Sequence, residues 1–462
     1  MSLPRLRAYL LAAVMVTTLL GLVGALPLAG RVAVVLMLAY LSCQGGQLSA
    51  MPRGMLWAAI AAAGVTLWAA EAPLGLLLDA GERFAFFATF LASLSLLRLP
   101  AQDSPLIRRC GRCMLRQPPG RRYPILALGA ALFGVILNIG VLGLVGTLIE
   151  RGNTLAAAGG REGVWQARRR RMLMALLRGF ATAPLLSPLG LGVAVILANM
   201  PSLTWLDLAP VTFGAAGIVF LAGWGLDHRR EPRPAASVAR GEAISLAPLG
   251  AFCLLLLAIV LLVFALAGCL KVRLPVAVLV GAPLAAFLWL AWQRRRLGGA
   301  GLPAAAVTLG RRLPGLLGVL GNEVVTLGAA GFLGHLGVVW LETARPEWLL
   351  DLLMPLGAGT AVLAMLAVVA SAQLGLNPVI SITLLAGLLP SLEVPGLTPV
   401  LAGTSLMVGW SLALMSSPLT ASLLILSRLT GLPARQLGYD WNGRFVCTLV
   451  PVLGLWFLWL GL

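Results

Sequence analysis

Charge is scarce in this chain: only 11% of its 462 residues are Asp, Glu, Lys or Arg. Acids are scarcest, 16 against 34 bases, and Lys271 is the only lysine. With 60% hydrophobic residues and a mean hydropathy of +0.96, that shortage excludes a set of soluble domains, a disordered chain and a fibrous one. The six cysteines are too few and too scattered for a disulfide framework. Cys110 and Cys113 form a lone CxxC in an Arg-rich loop, without the second pair or the histidines that a tetrahedral zinc site needs. His228 and His335, the only histidines, lack ligand spacing too. Also absent are a P-loop, an HExxH helix, a GxSxG elbow and paired carboxylates at catalytic spacing. The chain is therefore expected not to be an enzyme and to hold no cofactor.

What is there instead is apolar sequence in runs of about 18 to 30 residues, from end to end. Runs of that length span a bilayer as helices, so the fold class is an all-α polytopic membrane protein. The net charge of +18 lies in short loops between the runs. There it acts as a topology signal under the positive-inside rule, not as a nucleic-acid surface. Arg in place of Lys fits a GC-rich bacterial genome, and the expected location is the bacterial inner membrane. Residues 1–30 place Arg5 and Arg7 ahead of an apolar run, the layout of a signal peptide. The run is long enough to span, so it is kept as the first helix, with a cytoplasmic N-terminus.

Loop charges then fix a path of about 11 crossings. Helices at about 9–28, 31–48 and 55–72 lead to an outer loop with Glu71, Asp79 and Glu82. A fourth, at 83–99, returns to an inner loop with Arg108, Arg109, Arg112, Arg116, Arg121 and Arg122. The next apolar segment, 123–149, is followed by another basic loop, with Arg161 and the run from Arg168 to Arg171. Both ends are thus inner, which predicts a re-entrant helical hairpin with Asn138 at its tip. Arms of about 12–14 residues rise roughly 20 Å, enough to reach the midplane but not to cross. Helices follow at 172–199, 206–226, 244–268, 274–293 and 313–340, with a cytoplasmic linker at 227–243 containing Arg229, Arg230, Arg233 and Arg240. Segment 352–390 lies between acidic flanks, Glu342, Glu347 and Asp351 (with only Arg345 against them) before it and Glu393 after it. It too is expected to fold back, at Asn377. Helices at 399–427 and 441–462 close the chain.

This path contains two inverted repeats, 31–226 and 244–462. Their interrupted helices align without a gap, Gly179-Phe-Ala-Thr-Ala-Pro-Leu-Leu-Ser187-Pro188 on Gly409-Trp-Ser-Leu-Ala-Leu-Met-Ser-Ser417-Pro418. Ser-Pro in mid-helix removes a donor and frees a carbonyl, leaving backbone dipoles near the midplane for an ion or a substrate. The organisation resembles the ion transporter superfamily, and in particular the divalent anion/sodium symporter family. That family is similar in having eleven spans, two hairpins and two broken helices in inverted repeats. Each of its hairpin tips carries a Ser-Asn-Thr motif that contacts sodium and a substrate carboxylate. Here the tips read Leu137-Asn138-Ile139 and Leu376-Asn377-Pro378, so only the Asn carries over. The resemblance implies sodium near Asn138 and Asn377, a homodimer built on a scaffold domain, and elevator movement of the hairpin-bearing domain.

Polar residues at membrane depth complete the candidate solute and ion site. Thr182, Ser187, Ser416, Ser417 and Thr420 are hydroxyls at the breaks, each with the alternative role of bonding the local backbone. Gln373 lies close to the second tip, and Asn322 and Glu323 fall near the middle of the helix at 313–340. A carboxylate there must pair, bind a cation or hold a proton. Arg178 either snorkels to the surface or meets an anion. The expected function is a secondary active transporter of a small anionic organic solute, coupled to sodium ions or protons. Its partners would be the lipid bilayer, the solute and a second copy of the chain. Two other readings stay open: the membrane subunit of a tripartite uptake system, and a lipid- or polymer-handling flippase drawing headgroups to the Arg-rich face.

Overall fold

The computed structural model describes residues 3–24, 26–230, 245–296, 298, 300–344 and 347–462. Among these there are α-helices, short 3-10 and π turns, and no strand. The first half runs α1 (Leu3–Val23), α2 (Pro27–Ser42), α3 (Ala50–Ala69), α4 (Pro73–Leu96), α5 (Arg98–Asp103), α6 (Pro105–Leu115), α7 (Pro119–Leu137), α8 (Gly140–Gly152), α9 (Glu162–Leu186), α10 (Leu191–Asn199) and α11 (Trp205–Arg230). The second half runs α12 (Ala247–Leu270), α13 (Leu274–Arg296), α14 (Leu302–Gly318), α15 (Gly321–Ala344), α16 (Glu347–Leu353), α17 (Gly359–Gln373), α18 (Pro378–Ser391), α19 (Pro399–Ser416), α20 (Ala421–Thr430) and α21 (Gly443–Leu460). Most of the linker expected at 227–243, with Arg233 and Arg240, lies outside the described residues, as does Arg345.

Eleven helices or helix pairs among the described residues are long and apolar enough to cross a membrane, so the chain is a polytopic all-α membrane protein. Its surface fits that solvent: Leu254 and Leu261 on α12 and Leu38 on α2 are 68%, 58% and 62% exposed. In water such rows of bare leucine would drive association. The spans differ from the expected set in one exchange. The 16-residue α2 is short, whereas α7, with 19 residues and roughly 28 Å of rise, exceeds the arm length inferred for a hairpin.

Three boundaries also move. The acidic stretch around Asp79 and Glu82 is not a loop, because Pro73 starts α4 and the helix runs through both carboxylates to Leu96. The helix expected at 313–340 is two, α14 and α15, separated at Val319 and Leu320 within a glycine-rich stretch, Gly315, Gly318 and Gly321. The segment expected as one hairpin from 352 starts earlier, with α16, then bends by 119° into α17.

Packing places the hairpin-like pairs. Gly179 of α9 lies on Ala127 of α7, and further along Phe180 and Ala183 meet Gly134. On the other arm Glu150 pairs with Arg169 at 2.9 Å, while Gly146 meets Leu176. Along α9, then, α7 advances as α8 retreats, so the two arms run in opposite directions with Asn138 at the far end. In the second half Gly409 of α19 lies on Met365 and Val368 of α17, and Ser417 meets Ala372. Ser371 and Ser381, three residues before the 374–377 turn and four after it, share a 2.7 Å hydrogen bond that closes α17 onto α18. The arms cross over between halves: α8 packs on α20, and α18 packs on α10. Beside this assembly α4 packs on α15, with α3 against α15 and α13 against α4.

Cys110 and Cys113 face α12 from α6, donating to the carbonyls of Pro248 (3.2 Å) and Ser245 (3.3 Å). Burial pushes the Cys110 thiol up to about 12, with the neighbouring cysteines adding to it, and pushes Cys113 up as well. Both thiols stay protonated at neutral pH and react slowly. Stability held by their neutral forms is complete below the unfolded thiol value of about 8.5 and is lost as pH climbs toward the folded one. In detergent, a small maleimide is expected to label exposed Cys269 and Cys447 at pH 7.5 while sparing Cys110 and Cys113 until the protein unfolds. Equal labelling rates at all four in folded protein would contradict this.

Candidate functional site

Both long helices break at Ser-Pro, and the two breaks have the same construction. α9 ends at Leu186 and α19 at Ser416, and three turn residues follow Ser187 and Ser417 in each case. Ser187 Oγ accepts from the Leu189 amide at 3.1 Å, and Ser417 Oγ from the Leu419 amide at 3.3 Å. The carbonyls of Ser187 and Ser417 accept from the amides of Gly190 and Thr420, each at 3.1 Å. A serine followed by proline is suited to this turn: proline contributes no amide, and the hydroxyl caps the next free one. Each break thus brings the last carbonyls of one helix near the first amides of the next; at the second, the Leu414 and Met415 carbonyls accept from Ser422 Oγ and Asn442 Nδ2.

Each hairpin tip lies beside its own break. One turn beyond the Gly134–Ala183 contact, Asn138 ends α7 with φ +50° and ψ −136°, a backbone conformation that Gly adopts most readily. Its side chain is half-buried and makes no hydrogen bond within the described residues. At the second tip Gly375, with φ +92°, sits 3.3 Å from Leu419 by the position a Cβ would take. Asn377 caps α18, its Oδ1 accepting from the Val379 amide at 3.0 Å, which leaves its Nδ2 uncommitted.

The second break is held by more polar contacts. Gln373 donates to Ser416 Oγ at 3.0 Å and accepts from Tyr439 at 3.0 Å, so its amide is engaged at both ends. Ser417 Oγ donates to the Ala372 carbonyl at 2.7 Å, and Thr420 donates to the Ser417 carbonyl at 2.7 Å. At the first break Thr182 donates to the Gly179 carbonyl at 2.8 Å. These hydroxyls shape the backbone of the breaks, most of whose residues are buried.

Asn322 and Glu323 are elsewhere. Both lie in the first turn of α15, on its exposed side, instead of at mid-span. Asn322 Oδ1 accepts from the Ser49 amide at 2.9 Å, joining the starts of α3 and α15. α15 meets the second hairpin at Gly334, against Thr383, roughly 18 Å further along the helix.

Sequence reasoning missed Asn442 and Tyr439 and left Arg178 undecided. Asn442 is fully buried, accepts from Arg178 Nε at 2.8 Å and donates to the Met415 carbonyl at 2.7 Å. Arg178 also lies 4.0 Å over the Phe445 ring. The first broken helix is thereby linked through Asn442 to the end of α19. The polar run Tyr439-Asp-Trp-Asn442, a π turn between two apolar helices, was the available signal.

No family model matches the chain, and no curated protein matches it in sequence. Solved structures do match its fold. The YdaH transporter of Alcanivorax borkumensis is 17% identical, with 88% of this chain covering 98% of that one at a TM-score of 0.52. The chain shares the fold of that structure. A second similar structure is MtrF of Neisseria gonorrhoeae, described with a class of antimetabolite efflux pumps. It is 13% identical over 84% of this chain and 85% of that one, with a TM-score of 0.48.

Proposed function

We propose that the chain is a secondary active transporter. It carries a small anionic organic solute across the bacterial inner membrane by elevator-like alternating access, coupled to sodium ions or protons. The observation that carries this reading is the pair of Ser-Pro breaks with matching hydrogen bonds, each beside a hairpin tip. Broken helices of this kind place carbonyl ends for a cation and amide ends for an anion at one depth. Gly192 and Ile196 of α10 meet Trp410 and Gly403 of α19, so the two broken helices run antiparallel, as inverted repeats require. Mutual packing of the hairpins and broken helices supports one transport body working against α4 and α15. The likeness to divalent anion/sodium symporters, including a scaffold homodimer, rests on this architecture. Sodium near the Asn138 and Asn377 tips is the favoured coupling, because Glu323 is exposed at a helix start and draws no support from the geometry.

Thermal shift in sodium or potassium, with a panel of small organic anions, tests the reading. Saturating ligand at a hundred times its Kd stabilises by about 2.7 kcal/mol, a rise of several degrees. Asn138→Gly relieves the positive φ while removing the amide, and Asn377→Ser keeps the cap while removing the amide. Both variants are expected to fold and to lose the sodium-dependent shift. Full shifts and unchanged transport in both would sink the paired-tip site.

A further inference from the structure

Where the Arg-rich loops gather, α6, the start of α7, the end of α8 and the start of α9 border an open cavity of about 400 Å³. Five of its lining residues are arginines, Arg112, Arg116, Arg122, Arg151 and Arg168, and no carboxylate among the described residues lines it. Two described acids on neighbouring turns are committed to other partners. Glu150 is held by Arg169 at 2.9 Å, and Asp227 by Arg171 at 2.7 Å. Arg112, in the last turn of α6, and Arg116, the residue that caps its end, lie one helical turn apart. Arg122 is fixed by its Nε–H donating to the Gln117 carbonyl at 3.1 Å. The wall beyond α8 is set by Asn153, buried and bonded both ways to Trp165 at 2.7 and 3.0 Å.

Guanidinium groups gathered around one cavity favour an anion among them, and phosphate matches their forked donors best. A volume near 400 Å³ is far more than one simple ion fills and falls within the range of small-molecule sites. Arg122 is in the first turns of α7, a candidate span, which puts the cavity at headgroup depth. We propose that this cavity is a phosphate-binding site, taking a phosphate-bearing anion either from an anionic phospholipid headgroup or from a soluble phosphate compound. The site is independent of the transport reading and of the two breaks.

The test is thermal unfolding of the full chain in phosphate-free maltoside detergent. Probes are phosphatidylglycerol, inorganic pyrophosphate, diacylglycerol as a lipid lacking phosphate, and sodium chloride at matched ionic strength. Phosphatidylglycerol or pyrophosphate is expected to raise the Tm where diacylglycerol and chloride do not. The Arg112→Gln/Arg116→Gln/Arg151→Gln variant should need at least about tenfold more probe, the loss of one charge-assisted hydrogen bond. An equal-charge control, Arg161→Gln/Arg294→Gln/Arg295→Gln, should respond like the wild type. All three site arginines are exposed, so the single variants keep the test readable if the triple variant fails to fold. A lipid response that pyrophosphate does not compete assigns the headgroup as source. Competition shows that the phosphate itself seats, whichever molecule brings it. No response to either probe, equal losses in both triple variants, or an equal response to diacylglycerol overturns the proposal.

Discussion

Gly179→Ala is expected to destabilise the protein by about 3 kcal/mol or more, and Gly179→Val to prevent folding. A methyl on Gly179 would land on the carbonyl oxygen of Ala127 and within 2.7 Å of its Cα. The obstacle is main chain in a helix, which cannot rotate aside as a side chain can. Gly409 occupies the matching position in the other half. There a methyl would lie 2.8 Å from the Met365 carbonyl oxygen and 2.9 Å from Val368 Cβ, so Gly409→Ala should cost about 2–3 kcal/mol. Gly143, helical and open on its far side, supplies the control: Gly143→Ala should gain roughly 0.5–1 kcal/mol from helix propensity. Thermal unfolding followed by tryptophan fluorescence orders the three variants. If Gly179→Ala is as stable as Gly143→Ala, the close approach of α7 to α9 is wrong.

Asn442→Leu should be the next most damaging single change, at about 3–5 kcal/mol. It removes the acceptor that holds Arg178 and the donor that satisfies the Met415 carbonyl, at a fully buried position. Met415 immediately precedes Ser416, so transport should fall along with stability. Asn442→Asp keeps the acceptor and loses the donor, and should fall between. A double-mutant cycle with Arg178→Met isolates the pair, with an expected coupling of about 1–3 kcal/mol. An Asn442→Leu protein within 1 kcal/mol of wild type would show that Arg178 is satisfied some other way.

What the sequence revealed and concealed follows from how each feature is encoded. Ser187-Pro188 and Ser417-Pro418 were legible because a turn that needs a capping hydroxyl and a missing amide can be written in few ways. Their shared glycines, Gly179 and Gly409, were visible as letters, and their role, contact with the arm of a hairpin, needed coordinates. Asn138 and Asn377 look alike in sequence yet differ in backbone, one at positive φ and one an ordinary helix cap. The break between α14 and α15 was hidden because Val319 and Leu320 are as apolar as the helices they separate, and hydropathy does not sense a turn inside an apolar run. That concealment is what put Glu323 at mid-span. The opposite error lengthened a loop at Glu82, where polar letters belong to a continuous helix. Asn442 carries no periodic signal, since its two bonds reach residues 264 and 27 positions away.

Arg169 has a mechanical meaning beyond its ion pair. From the start of α9 its guanidinium grips Glu150 at the base of α8 and the Thr430 carbonyl, 2.7 Å away, at the end of α20. One side chain thus rivets three helix ends, from opposite halves of the chain, into a single stiff lever. Any separation of these helix ends at their base must break both contacts at once, a cost that the tips, which share no such clamp among the described residues, do not carry.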